Sequence, residues 1–115
     1  MFKATATPTT NLADGATVSV TVSGFTAGKT VGINECAQAG TSEVGAADCH
    51  LSGIQIITVG SDGTGKGETT VSKGPIGENG HMCGTADVRC FLSVGELVDS
   101  PTAERTDDID ITFAP

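Results

Sequence analysis

The sequence predicts an all-β protein, an antiparallel sandwich of short strands, and three observations lead there. Residues 16–25, Ala-Thr-Val-Ser-Val-Thr-Val-Ser-Gly-Phe, alternate strictly, with Val18, Val20 and Val22 on one face and Thr17, Ser19, Thr21 and Ser23 on the other. That period of two marks a strand with one side in a core and one in water. Residues 107–113 repeat the pattern, setting Ile109, Ile111 and Phe113 against Asp108, Asp110 and Thr112. Sixteen glycines and many threonines and serines supply turns between such runs, and no window shows helical periodicity.

The elements follow in order. Lys3 to Thr7 reads as an edge-like strand ended by Pro8, which cannot donate to a ladder. Asp14-Gly15 supplies the turn into the strand of residues 16–25. A third strand spans Thr30 to Ala37, with Val31 and Ile33 on one face, and Ala39 to Asp48 is a polar loop. Ile54 to Val59 is a strand, Ser61 to Gly67 a long turn, and Glu68 to Ser72 is expected to pair back on it as a hairpin. Gly74 to Gly80 is a glycine-rich loop, Cys83 to Cys90 reads as a stapled hairpin, and Val88 to Val94 and Asp107 to Phe113 complete the set. Seven or more such strands in one chain of this length give a single domain over residues 1–115, an immunoglobulin-like seven-stranded antiparallel β-sandwich. It is not a true immunoglobulin domain, because it has no tryptophan to pack on a bridge between the sheets.

Composition narrows the function classes. The formal net charge of −8 repels phosphate backbones, so direct tight binding to nucleic acid is not expected. No stretch approaches the roughly twenty apolar residues that span a bilayer, so no membrane partner is expected and a monomer is. The four cysteines fall as two close pairs, Cys36 with Cys49 and Cys83 with Cys90. Neither pair has the two-to-four-residue spacing of a structural zinc site, even with His50 and His81 nearby, so no metal is expected. Disulfides are the better reading, and they place the protein in a secreted, extracellular setting. Three connectivities exist; linking near neighbours has the simplest geometry, but the residues alone do not choose. Such a bridge stabilises a short loop by about 3 kcal/mol. Met1-Phe2-Lys3-Ala4 has no apolar signal core, so the expectation is a mature domain whose precursor carried one, with Met1 an added initiator. No glycosylation sequon occurs at Asn11, Asn34 or Asn79.

Several stretches in series resemble the neocarzinostatin family of enediyne chromoprotein apoproteins from actinobacteria. They are Ala4-Thr5-Ala6-Thr7-Pro8, Asn11-Leu12-Ala13-Asp14-Gly15-Ala16-Thr17-Val18, Ser23-Gly24-Phe25-Thr26-Ala27-Gly28, Cys36-Ala37 with Glu35 in place of the usual Gln, and Asp62-Gly63-Thr64-Gly65 leading into Thr69-Thr70-Val71. Cys83 to Cys90 followed by Val94-Gly95, and Asp110-Ile111-Thr112-Phe113, complete the order. The resemblance implies a seven-stranded sandwich with small ribbons that enclose a cleft, and the disulfides Cys36–Cys49 and Cys83–Cys90. It also implies a non-catalytic, antibiotic-carrier role: the cleft holds a hydrophobic small molecule, an enediyne chromophore bound non-covalently, and any action on DNA belongs to that ligand.

Carried over residue by residue, the resemblance makes Gln38, Phe91, Ser93 and Gly95 the expected ligand-binding floor, with His81 and Met82 at the rim. Two departures stand out. The segment Ser72 to Met82 is shorter than the family's wall and has no aromatic residue, and Gln38 stands where an aromatic is common. Stacking on a flat ligand is much of what an aromatic wall offers, so a shallower, more open groove is expected. The alternative reading is an immunoglobulin-like structural or interaction module that keeps the fold without the cleft. Catalysis is not expected. No Gly-x-Ser-x-Gly elbow occurs, the glycines at 63–67 lack the ending of a phosphate loop, and Asp107, Asp108 and Asp110 lack the calcium-loop spacing. These aspartates read instead as the solvated face of an edge strand.

Overall fold

The computed structural model describes residues 2–85, 87–98 and 100–115. Among them seven strands form two antiparallel sheets. Three strands, β1 (Lys3–Thr7), β2 (Thr17–Ser23) and β5 (Gly65–Thr70), lie in the order β1-β2-β5. The other four, β3 (Thr30–Ala39), β4 (Gln55–Thr58), β6 (Val88–Glu96) and β7 (Ile109–Ile111), lie in the order β4-β3-β6-β7. Helical structure among the described residues is two single 3-10 turns, Ala46–Asp48 and Leu51–Gly53. None of it is long and apolar enough to cross a membrane.

The alternating valines behave as their pattern demands. Val18, Val20 and Val22 are fully buried and meet Val31, Ile33, Leu92, Val94 and Ile111 from the opposite sheet. Each such side chain contributes roughly 1.5–3 kcal/mol by leaving water. Ile109 is half-buried against the same core. The last strand is shorter than expected because the chain changes partner. Ile109 to Ile111 pair with β6, and then Thr112 N–H donates to Thr9 (2.9 Å) while Phe113 bridges Leu12. The C-terminal segment thereby stitches the four-stranded sheet to the chain between β1 and β2.

The expected hairpin between residues 54–59 and 68–72 does not form. The strand there is Gly65–Thr70; it pairs with β2, while β4 pairs with β3, so the Ser61–Thr64 turn carries the chain from one sheet to the other. The glycines explain the crossing. A Cβ on Gly65 would lie 2.6 Å from Ile57 Cγ2, and one on Gly67 would lie 3.0 Å from Ile57 Cγ1. Ile57 of β4 therefore packs face to face into the bare backbone of β5, which edge-to-edge pairing would forbid. Among its described residues the Cys83–Cys90 segment also shows no hairpin pairing. It is a disulfide-closed turn entering β6, whose first arm is held by Cys83 N–H donating to the Lys73 carbonyl (2.6 Å). Both bridges link near neighbours, Cys36–Cys49 and Cys83–Cys90.

Among the described residues three polar side chains are buried, Glu35, Thr69 and Glu96, and of these Glu35 has an oxygen without a partner. Glu35 of β3 is only 3% exposed. Its Oε1 accepts the Ser72 N–H at 2.8 Å, and its Oε2 has no partner among the described residues. Burial pushes its pKa from 4.5 up to about 7, opposed by the Ser72 hydrogen bond and aided by the nearby Asp14 carboxylate. The folded state thus holds a proton that the unfolded chain releases above pH 4.5. Stability is full below that pH and is lost as pH rises through 7, by about 3 kcal/mol at pH 8. Glu35→Gln is expected to match the natural protein at pH 4.5 and exceed it by about that amount at pH 8. Urea unfolding followed by far-UV circular dichroism measures this, since the chain has no tryptophan or tyrosine. Parallel pH profiles for the two proteins would contradict the assignment.

Candidate functional site

The outer face of a sheet in a sandwich is normally open to solvent on all sides. On the four-stranded sheet it is flanked by loops. The β3–β6 ladder places three rungs there, Asn34 opposite Ser93, Cys36 opposite Phe91 and Gln38 opposite Arg89. Alternation dictates this, because Ile33, Ala37, Leu92 and Val94 on the same strands point into the core. Cys36, Cys49 and Phe91 form a second apolar cluster, separate from the main one. Above these rungs lies an open cavity of about 850 Å³.

Two walls flank it. The first is the loop closed by Cys36–Cys49, which contributes Val44, Gly45 and Ala46, together with Leu51 just beyond it. His50 N–H donates to the Glu35 carbonyl (2.8 Å), and Gln38 Nε2 donates to the Ser42 carbonyl (2.9 Å), so both ends of the loop are tied to β3. Asp48 braces it from behind. Gly45 N–H (2.8 Å), Asn79 Nδ2 (2.7 Å) and His81 Nε2 (2.7 Å) all converge on its carboxylate. These hydrogen bonds, Gly45 first, hold the Asp48 pKa down at about 2. The second wall is the segment after β6, with Leu97, Val98 and Arg105. Glu96 N–H donates to the Glu104 carbonyl (2.9 Å), and Glu104 in turn accepts from Thr26 N–H (2.8 Å) and Thr26 Oγ1 (2.6 Å).

Gln38, Phe91 and Ser93 line the cavity as a group. Gly95 does not. A Cβ there would lie 2.5 Å from Arg105 Cγ, so Arg105 covers it. Gly32, across the ladder from Gly95, is likewise capped by Leu97. His81 and Met82 do not reach the cavity either: His81 sits behind the first wall on Asp48, and Met82 lies against Gly74. The segment Ser72 to Met82 contributes nothing to the lining, because Asn79 N–H docks on the Ala47 carbonyl (3.0 Å) at the back of the first wall.

Sequence reasoning missed Asn34, Arg89, Leu97, Val98, Arg105 and Asp108, all of which line the cavity. Asn34 and Arg89 were within reach, being two residues from Cys36 and Phe91 on the same strand faces. The Asn34 Oδ1 is shielded from water and has no partner among the described residues. Arg89 carries the floor's main electrostatic feature. Its Cζ lies 4.4 Å from the Phe91 ring centroid, and its Nε donates to Asp110 Oδ1 at 2.6 Å.

A two-sheet sandwich with two local disulfides and a walled cleft on one outer face defines a class of cleft-bearing β-domains. The sequence profile of the neocarzinostatin family matches residues 4–113, and the chain belongs to that family. Among solved structures it is similar to macromomycin, at 26% identity over 99% of this chain and 100% of that one, with a TM-score of 0.70. It is also similar to apokedarcidin, at 25% identity over 97% of each chain, with a TM-score of 0.67. No curated protein sequence matches it significantly.

The bracing of the first wall is testable. Asp48→Ala should leave the core amides of β2 and β6 unchanged while the amides of Gly45 to Leu51 exchange about tenfold faster. Hydrogen exchange read by NMR distinguishes this local release from general destabilisation. Unchanged exchange in the loop would show that the disulfide alone fixes the wall.

Proposed function

We propose that the protein is a secreted, non-catalytic carrier that holds and shields a hydrophobic small molecule of the enediyne chromophore type in this cleft. The observation that carries the reading is the cavity itself. A sheet face that a structural module would leave open to water is instead walled on two sides above an aromatic and disulfide floor. Membership of the neocarzinostatin family, whose clefts hold such chromophores non-covalently, supports the ligand class. Two disulfides suit a protein working outside a reducing compartment. With a formal charge of −8, the chain itself repels DNA, so any effect on nucleic acid is the ligand's.

The affinity in such a site comes mainly from apolar area, at roughly 25 cal/mol per Å² before ordering costs. Native mass spectrometry of the protein taken from the cells that make it should show a bound mass of small-molecule size. A naphthalene-class surrogate, 2-methoxynaphthalene, should shift the NMR signals of Val44, Leu51 and Phe91. Phe91→Ala should weaken it by about tenfold. A protein that is bare when isolated and indifferent to the surrogate would favour the structural module.

A further inference from the structure

Part of what the absent aromatic wall would supply is present in another form. Phe91 is buried on the cleft floor, and the Arg89 guanidinium lies over its ring, with Cζ 4.4 Å from the centroid. That guanidinium is fixed along its edge. Nε donates to Asp110 Oδ1 (2.6 Å), one terminal nitrogen donates to Gln38 Oε1 (3.4 Å), and the other lies 3.7 Å from Asp108 Oδ2. A planar group with partners around its edge and a ring beneath it has one surface left, its second face. Arg89 lines the cavity with its side chain 40% exposed, and we infer that this second face is what the cavity receives.

We propose that Arg89, stacked on Phe91 and held edge-on by Gln38, Asp108 and Asp110, is the platform of the cleft, and that the cleft selects flat, electron-rich aromatic ligands. The inference rests on the reading of the cavity as a small-molecule site. The chemistry is that of a cation on a π face, which attracts the negative quadrupole of an electron-rich ring and is strengthened when water is excluded. Arginine suits this better than lysine, because its plane stacks while its edge is engaged. A free anion is not the favoured ligand. Asp108 and Asp110 already offset the charge of Arg89, which carries the platform. The Gln38 position then has a role other than stacking: its amide orients the platform, with Oε1 toward Arg89 and Nε2 donating to Ser42 on the first wall.

Two probes of one shape and opposite quadrupole decide the matter. Octafluoronaphthalene is the more hydrophobic, so a merely apolar cleft binds it at least as tightly as 2-methoxynaphthalene. A guanidinium platform reverses the order, and the natural protein should prefer 2-methoxynaphthalene by about fivefold. The Arg89 Nε–H signal should move upfield under the stacked ring. Arg89→Met, similar in length and uncharged, should lose the preference. Equal binding of the two probes, tighter binding of octafluoronaphthalene, or a preference that survives in Arg89→Met would overturn the platform while leaving the cleft as a binding site. If neither probe binds, the small-molecule reading falls and the platform falls with it. The comparison in the natural protein decides the question even if Arg89→Met fails to fold.

Discussion

The nine-residue ladder between β3 and β6 is the constraint on which the rest depends. Its register sends one set of side chains into the core and the next set into the cleft. Both disulfides are rooted in it. Cys36 faces outward and ties down the first wall, while Cys90, paired across the ladder with Ala37, faces inward and ties the turn that enters β6. A slip of one residue would exchange the two faces, placing Arg89 and Asn34 in the core and Leu92 in water. Core and cleft are therefore two readings of the same pairing, and selection on either acts on both.

Much of the fold was legible because it follows from local alternation. The Val18–Val20–Val22 run and the Ile109–Ile111 run declare their buried faces without reference to any other part of the chain. The partnership of β5 was not legible in that way. The hairpin rule favours neighbours in sequence, whereas Gly65 and Gly67 act only once Ile57 is brought against them from the other sheet. The floor shows the same division. Phe91 and Ser93, expected from the family resemblance, line the cavity, while Gly95 does not because Arg105, ten residues on, folds back over it. The second wall has no periodicity to read. Its position comes from contacts such as Thr26 to Glu104, which lie 78 residues apart.

Glu35 links the core to the site more tightly than its burial alone suggests. Its carboxyl holds the Ser72 N–H, at the start of the segment that reaches Asn79 and His81. Its backbone carbonyl accepts from His50, at the end of the first wall. An amide at this position would satisfy Ser72 and carry no ionisable proton. The carboxyl brings a group that favours its neutral form inside the sandwich. The two segments behind the first wall thus share an anchor whose own stability depends on pH.

Floor and walls differ in what holds them. The floor lies on the two longest strands and is fixed by a continuous backbone ladder. The walls are loops, fastened by a disulfide on one side and by a few hydrogen bonds to largely exposed groups on both. Loops fastened in this way open locally at lower cost than strands in a sheet. Under the proposed carrier function, a ligand enters and leaves by wall movement while the surface it rests on stays rigid. This favours placing specificity on the floor, where Arg89 and Phe91 keep their geometry through each opening. It also accounts for a wall built of Val44, Leu51, Leu97 and Val98: side chains without directional bonds can close over a flat ligand in more than one arrangement and still exclude water.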